Sequence, residues 1–206
     1  MPPELRIGGL TRLSTCDWPG QLVATVFTQG CPWDCHYCHN PDLIPPDRPT
    51  EVNWAQVMAF LQTRRGLLDG VVFSGGEPTL QPGLPAAMQQ VRDLGFGVGL
   101  HTGGPYPRRL AAVLPLTDWV GFDVKAPFDD YARITCVDGS GAKARESLAL
   151  MLDSGVACDI RTTVDAAWLD ADALSRLDAD LAPFGIATRR QPYRTEGTRP
   201  DRQRMT

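Results

Sequence analysis

Apolar and polar positions along the chain repeat with two periods, which predict strands and helices in turn. Short runs of β-branched and apolar residues bounded by glycine indicate buried strands, and apolar residues at helical spacing indicate amphipathic helices. Six strands are predicted in this way, at residues 21–29, 70–74, 96–101, 119–124, 157–164 and 186–191. Helical patterns lie between them, after Thr50 as an N-cap, across 84–94, around Leu110, after Gly139 and after Asp170.

Strands that alternate with helices predict βα units and a parallel sheet. Six units are fewer than a closed eight-stranded barrel requires, so the expected fold is α/β, a partial (β/α)6 barrel in a single domain. The barrel domain is expected over residues 21–194, after an N-terminal segment, 1–20, whose turn signals predict extended pieces in a hairpin. The polar residues 195–206 are expected to form a flexible tail.

Composition narrows the classes of function without selecting one. The chain has 206 residues, of which 43% are hydrophobic and 21% charged, and its net charge is −4. This acidic balance argues against nucleic acid or a membrane surface as the main partner. No apolar run approaches the length of a membrane span and no apolar leader is visible, so a cytoplasmic location is expected. In that compartment the six cysteines are expected to be ligands or free thiols.

The most informative stretch is Cys31-Pro-Trp-Asp-Cys35-His-Tyr-Cys38, in which three cysteines are spaced C-x3-C-x2-C. Thiolates are soft ligands that suit zinc or iron–sulfur clusters, and each of these groups wants four ligands in a closed site. Three cysteines would therefore hold a 4Fe–4S cluster by three of its irons. The remaining iron would stay open to a substrate or cofactor.

Two alternatives to an open cluster remain at this stage. His36, His39 or a distant cysteine could complete a zinc site instead. Cys16 precedes the motif by only fifteen positions, and as a fourth ligand it would close the open iron. Cys136 and Cys158 are expected to be ordinary thiols.

The unusual polar and glycine-rich motifs all fall at or near the C-terminal ends of predicted strands. In chain order they are the three cysteines, Gly75-Gly76-Glu77, His101-Thr102, Asp123-Val124-Lys125, Arg161 and Gln191. In partial and closed barrels of parallel strands, chemistry is located beyond these ends. The pattern therefore predicts one active site to which every strand contributes.

The cysteine spacing, with the aromatic residue Tyr37 before the third cysteine, resembles the signature of the radical S-adenosylmethionine (radical SAM) superfamily. The resemblance implies a partial barrel and a 4Fe–4S cluster bound by Cys31, Cys35 and Cys38. It also implies that the amine and carboxylate of SAM chelate the open iron. Tyr37 would then lie against the adenine of SAM, a role that suits an aromatic ring.

Further positions can be carried over from the family's motifs. Gly75-Gly76-Glu77 resembles the GGE motif that binds the SAM amino group, where glycine lets the backbone approach the ligand closely. The resemblance also implies that Thr102, Asp123, Lys125 and Arg161 surround SAM, with Lys125 offering a cation to its carboxylate.

One position departs from the family's pattern. Several relatives carry Asp-Thr-Asn-Gly where this chain has His101-Thr102-Gly103-Gly104. The Asp in relatives helps to hold a monovalent cation, so its replacement by His101 puts such a cation in doubt here. His101 is expected either to form a hydrogen bond with SAM or to fill the space.

Four runs narrow the resemblance to activating proteins of anaerobic ribonucleoside-triphosphate reductase; they occupy residues 17–20, 38–41, 73–78 and 123–127. Such an activase is reduced by a one-electron donor such as flavodoxin or ferredoxin and cleaves SAM reductively. The 5′-deoxyadenosyl radical then takes hydrogen from a glycine Cα of the partner, a glycyl-radical enzyme. Two alternatives are a radical SAM enzyme that acts on a small molecule, similar to carboxy-deazaguanine synthase, and an iron–sulfur or zinc module without SAM chemistry.

Overall fold

A computed structural model describes residues 5–50, 52–194 and 198 and shows one sheet of seven strands in chain order. The strands are β1 Ile7–Ser14, β2 Val23–Thr28, β3 Gly70–Gly75, β4 Gly97–Thr102, β5 Trp119–Asp123, β6 Ala157–Val164 and β7 Arg189–Pro192. Strands β2 to β7 pair in parallel, whereas β1 pairs antiparallel to β2. The predicted α/β architecture is thus confirmed, with a sheet that curves without closing on itself.

Six helices of the described residues cover the outer face of the sheet. They are α1 Trp54–Gln62, α2 Leu84–Asp93, α3 Pro107–Val113, α4 Tyr131–Thr135, α5 Ser140–Asp153 and α6 Ala171–Leu181. The sequence pattern did not predict α4, which is only five residues long and too short to show a helical period. None of the described helices is long and apolar enough to span a membrane.

The core lies between the outer face of the sheet and these helices. Alternate residues of the central strands are fully buried there: Val71, Phe73, Val98, Leu100, Val120 and Phe122. Successive side chains of a strand point to opposite faces, so the intervening residues face the inside of the partial barrel. These inner positions carry the polar side chains from which the site is built.

Helix α1 begins later than the sequence pattern predicts. Its N-cap is Asn53, not Thr50: the Asn53 side chain accepts from the Gln56 backbone and the Gln56 side chain accepts from the Asn53 backbone. This reciprocal capping box satisfies two backbone donors at once, while Val52 remains extended in a bridge to Ile7.

The last strand also begins later than expected, at Arg189 instead of residue 186. Gly185 adopts a left-handed conformation that ends the preceding 3-10 turn, and residues 186–188 then lead into the ladder without joining it. The other predicted strands overlap the observed ones closely.

The expected N-terminal hairpin is wrong, because β1 joins the main sheet instead. The turn that follows β1 inserts Trp18 into the inside of the barrel, where its ring stacks on Trp119 at 5.6 Å. Glycine on the inner face makes room for it: a Cβ added at Gly99 would lie 2.9 Å from the Trp18 ring. The domain boundaries remain a prediction, and the predicted tail lies outside the described residues except for Thr198.

Candidate active site

A pocket at the C-terminal ends of the parallel strands is lined by all eleven predicted site residues. They are Cys31, Cys35, Tyr37, Cys38, Gly75, Gly76, Glu77, Thr102, Asp123, Lys125 and Arg161. The pocket encloses about 190 Å³. Five strands and the loop that follows β2 thus bring together residues spread over 131 positions, from 31 to 161. The individual roles of these residues remain predictions.

Backbone hydrogen bonds hold the cysteine loop against neighbouring segments. The Cys31 amide donates to the Ile44 carbonyl at 3.0 Å, and the Asp34 amide donates to the Thr135 carbonyl at 3.0 Å. The second bond ties the loop to the end of α4, the helix that the sequence did not predict. The loop is therefore held from both sides and can present its three thiols to the pocket.

The glycine turn after β3 packs against the same loop through its backbone. Gly75 has a φ of 105°, in the region where only glycine is unstrained. A Cβ on Gly76 would lie 2.2 Å from the Gly30 carbonyl oxygen. Glycine is required at both positions because backbone approaches backbone directly.

Glu77 holds this turn to the end of β4. Its buried carboxylate accepts from the Thr79 amide and hydroxyl, from the Thr102 hydroxyl at 2.8 Å and from the Gly103 amide at 3.2 Å. Burial raises the pKa of Glu77, although these hydrogen bonds oppose the shift. The expected role of this motif at the SAM amine thus rests on the turn that Glu77 shapes, since its carboxylate already has partners within the protein.

Asp123 lies between two cations on the inner face. The Arg161 guanidinium contacts its Oδ1 at 3.0 Å, and Lys125 Nζ lies 3.9 Å from its Oδ2. Burial alone would raise the pKa of Asp123, but Arg161 and then Lys125 outweigh it and hold this pKa below its usual value. Burial disfavours the Lys125 ammonium, yet acidic groups around it, first Tyr37 and Cys35, raise its pKa well above the usual value.

Strand β5, which carries Asp123, lies inside the sheet between β4 and β6. The bland alternative of an exposed ion pair on an edge strand is therefore excluded. The side chains of Lys125 and Arg161 are only 14% and 13% exposed. The arrangement presents a largely buried positive charge to the pocket.

Both ring nitrogens of His101 have partners within the protein. Nε2 lies 2.8 Å from the Asp17 carbonyl oxygen, which can only accept, so Nε2 carries the proton. Nδ1 is then an acceptor for the Ser74 hydroxyl 3.1 Å away. Burial, followed by the Arg161 guanidinium, lowers the pKa of His101 to about 4. The neutral ring braces the pocket wall, which agrees with the space-filling expectation.

Tyr37 is buried, and its ring lies between the cation and the last strand. Lys125 Nζ is 5.5 Å from the centre of the Tyr37 ring, within the range of a cation–π contact. On the other side the Tyr193 ring lies 6.4 Å away. The aromatic wall predicted for adenine is thus made by two rings from distant parts of the chain.

Comparison with known families decides the class of protein. The profile of the radical SAM superfamily matches residues 25–165, which is more than half of the chain. The chain belongs to the radical SAM superfamily. Radical SAM proteins use a 4Fe–4S cluster and S-adenosylmethionine, and the matched region contains the three-cysteine motif.

Three curated relatives of this radical SAM protein illustrate its range. A Methanocaldococcus jannaschii protein, named provisionally as a glycyl-radical enzyme activating enzyme, is 28% identical over 76% of this chain. The pyruvate formate-lyase-activating enzyme of Clostridium pasteurianum is 32% identical over 67% of the chain. The 7-carboxy-7-deazaguanine synthase of Thermococcus kodakarensis is 30% identical over 61%. The matches span 67%, 59% and 57% of these relatives' own lengths.

Solved structures support the radical SAM fold. The structure of native anSMEcpe with bound AdoMet matches 81% of this chain and 49% of its own with a TM-score of 0.62. Its sequence identity is 16%, so this likeness concerns the fold alone.

The donor set of this radical SAM site fits the cluster. Burial raises the pKa of Cys31, and it raises that of Cys35 to about 11 although Lys125 opposes the shift. The thiolates therefore need a nearby positive charge, which bound iron would supply. Within the described part of the chain, no three His, Cys, Asp or Glu side chains converge on a single metal ion. The ligands of a 4Fe–4S cluster bind separate irons and need no such convergence.

Cys16 is not a candidate fourth ligand. It is exposed and contacts Ser14, which pairs with Val23 at the start of β2. Cys31 follows the other end of that strand, so a strand of six residues, about 17 Å long, separates the two thiols. The open possibility of a closed cluster through Cys16 is therefore corrected by the topology.

Sequence reasoning missed several pocket residues, among them Trp33, Ser74 and Thr163. Ser74 and Thr163 occupy inner-facing positions of β3 and β6, where a polar residue within an apolar run was the available signal. Trp33 lies within the cysteine motif, and its ring packs edge-on against Tyr131 at 6.0 Å. This packing, which the sequence pattern did not indicate, joins the cysteine loop to α4.

Proposed function

We propose that this protein is a radical SAM activase that generates the glycyl radical of an anaerobic ribonucleoside-triphosphate reductase. The observation that carries the proposal is the convergence of the eleven motif residues in one pocket. Two of the relatives are named as activating enzymes, and the four sequence runs that resemble reductase activases favour this partner. Flavodoxin or ferredoxin is the proposed class of electron donor.

Cys31, Cys35 and Cys38 would hold the 4Fe–4S cluster. When bound and reduced, the cluster supplies one electron that cleaves SAM into methionine and a 5′-deoxyadenosyl radical, which takes a hydrogen atom from the glycine Cα. The protein's own contribution is to bind and orient. The Lys125 ammonium, held by Asp123, is placed to bind the SAM carboxylate, and the turn fixed by Glu77 is placed to accept from its amine.

The inner face also keeps the pocket's charge in place. Arg161 and Lys125 share the Asp123 carboxylate, so both cations stay oriented without SAM. Neutral His101 adds no charge beside Arg161, and the buried Tyr37 ring separates the cations from Tyr193. Preorganised charges of this kind need little rearrangement when ligand binds.

The proposal is tested with the purified reductase of the same organism. The reconstituted protein, SAM and a reductant are incubated anaerobically with that reductase, and electron paramagnetic resonance is recorded. A glycyl-radical doublet that requires both SAM and this protein is the expected result. Cleavage of SAM without any radical on the reductase would contradict the proposed partner.

A second candidate function is supported by the likeness to the Thermococcus kodakarensis 7-carboxy-7-deazaguanine synthase. In this case the same pocket would hold a small molecule beside SAM. The reductase experiment separates the two candidates, because only an activase transfers the radical to the protein partner.

A further inference from the structure

A groove adjoins the active-site pocket on the side of β1. It encloses about 320 Å³ and is here named the Gly9 groove. Its lining residues are Gly8, Gly9, Phe27, His39, Asn40, Pro41, Asp42 and Leu43. His39 and Asn40 also line the active-site pocket, so the two spaces share a wall immediately after the third cysteine.

The floor of the Gly9 groove continues the floor of the pocket. Gly9 pairs with Phe27 across β1 and β2, and Phe27 pairs with Ser74 across β2 and β3. Paired residues on neighbouring strands project to the same face of a sheet, and Ser74 lines the pocket. One row of the inner face therefore leads from the pocket to the edge of the sheet.

The groove is open at that edge. Strand β1 ends the sheet, and among the described residues its outer side carries only the bridge between Ile7 and Val52. Gly8 is closely packed, because a Cβ there would lie 2.2 Å from Leu43. At Gly9, by contrast, an added Cβ would meet only Phe27, at 4.0 Å, so the missing side chain leaves free space.

We propose that the Gly9 groove holds an extended, glycine-containing segment of the partner protein and guides its glycine Cα into the pocket. The inference rests on the proposed function and adds the binding site for the partner's peptide. An enclosed small molecule needs no path to the edge of the sheet, whereas a loop that remains joined to a large protein does. The backbone-lined floor at Gly9 suits a chain with small side chains on either side of the glycine.

The test fills the groove without disturbing the pocket. In Gly9→Leu the new side chain has room within the protein and occupies the groove, whereas Gly9→Ala adds only the single carbon that the structure accommodates. Thr11→Leu, an exposed position two residues farther along β1, is the matched control. Iron content, 5′-deoxyadenosine formed without partner, and glycyl radical formed on the purified reductase are measured for each.

Gly9→Leu is expected to keep wild-type iron content and partner-free SAM cleavage while radical formation on the reductase falls at least tenfold. Gly9→Ala and Thr11→Leu should stay within twofold of wild type. Full activation of the reductase by Gly9→Leu would overturn the groove and leave the proposed function intact. A wild-type protein that cleaves SAM but never activates the reductase would overturn both.

Cross-linking gives an independent reading if Gly9→Leu does not fold. A benzophenone amino acid placed at the exposed rim position Asp42 is irradiated with the purified reductase, and the cross-linked peptide is identified by mass spectrometry. The segment that carries the radical glycine is the expected product. Capture of a different region, or of nothing, would overturn the proposal.

Discussion

The two faces of the parallel sheet differ sharply although the same strands build both. On the outer face, Phe73, Leu100 and Phe122 are fully buried against the helices. On the inner face, the neighbouring positions Ser74, His101 and Asp123 are polar and line the pocket. One face thus stabilises the fold by burying apolar area, and the other positions charge and hydrogen bonds for chemistry.

The comparison teaches that a shift of one residue along a strand changes the kind of consequence a mutation has. Successive side chains of a strand point to opposite faces, so Phe122 and Asp123 have separate duties although they are adjacent. Outer-face substitutions should lower the free energy of unfolding, and inner-face substitutions should lower ligand binding or activity. The following experiments test that division, from the largest expected effect to the smallest.

Cys35→Ala is expected to have the largest effect on the inner side. Loss of a direct ligand should lower SAM cleavage by more than the 10- to 100-fold typical of residues that only support a ligand. The free energy of unfolding of the metal-free protein should change little, because Cys35 packs only partly against the core. Iron content, 5′-deoxyadenosine and urea unfolding measure the three quantities.

Cys158→Ala is the matched control for Cys35→Ala. Cys158 is exposed and lies on β6, away from the cysteine loop. The variant should retain iron and SAM cleavage. Equal loss of iron in both variants would show that the cysteines do not differ as the two faces require.

Phe122→Ala should destabilise the protein by about 3–5 kcal/mol, because a fully buried ring leaves a cavity. Urea unfolding of the purified protein measures this change. Molecules that remain folded should bind SAM normally after reconstitution. Leu67→Ala, at a side chain that is 64% exposed, should change stability by less than about 0.5 kcal/mol; similar losses in both variants would break the comparison.

Lys125→Met keeps the length of the side chain and removes its charge. A hydrogen bond to a charged group contributes about 1.5–3 kcal/mol, so SAM should bind about 10- to 100-fold more weakly to the reconstituted protein. Equilibrium dialysis with SAM measures the affinity. Arg176→Met removes a cation whose side chain is 54% exposed and should leave SAM affinity unchanged; an equal loss there would argue against a specific role for Lys125.

His101 should give stability a small dependence on pH. Its pKa is about 4 in the folded protein, against an ordinary value of 6.5, so the unfolded chain binds the extra proton between these values. Stability is therefore full above pH 6.5 and is lost as the pH falls toward 4, by about 1.4 kcal/mol per unit within this window. In His101→Gln, urea unfolding between pH 6 and 5 should show a shallower decline; identical slopes would contradict the buried neutral ring.

The sequence predicted the parallel sheet and the convergence of motifs because both rest on local patterns. Glycine-bounded apolar runs mark buried strands, and the spacing of Cys31, Cys35 and Cys38 is readable directly. The same patterns could not show that Trp18 enters the barrel, because this depends on Gly99 and Trp119 from distant strands. Long-range packing of this kind leaves no periodic signal.

The chemistry of the candidate site was likewise readable only in part. Residue types at Glu77 and Asp123 indicated acceptors, but sequence alone could not show that Glu77 is already bound by Thr79 and Thr102. Nor could it show that α4 supports the cysteine loop through Thr135. Such contacts depend on burial and on which elements meet in three dimensions.

The most direct test of the account is reductive SAM cleavage by the wild-type protein. The protein is reconstituted anaerobically with iron and sulfide, reduced with dithionite and given SAM, and 5′-deoxyadenosine and methionine are quantified. Equal amounts of the two products are predicted. A protein that is fully loaded with iron and sulfide yet forms no 5′-deoxyadenosine under strong reduction would contradict the assignment of the pocket.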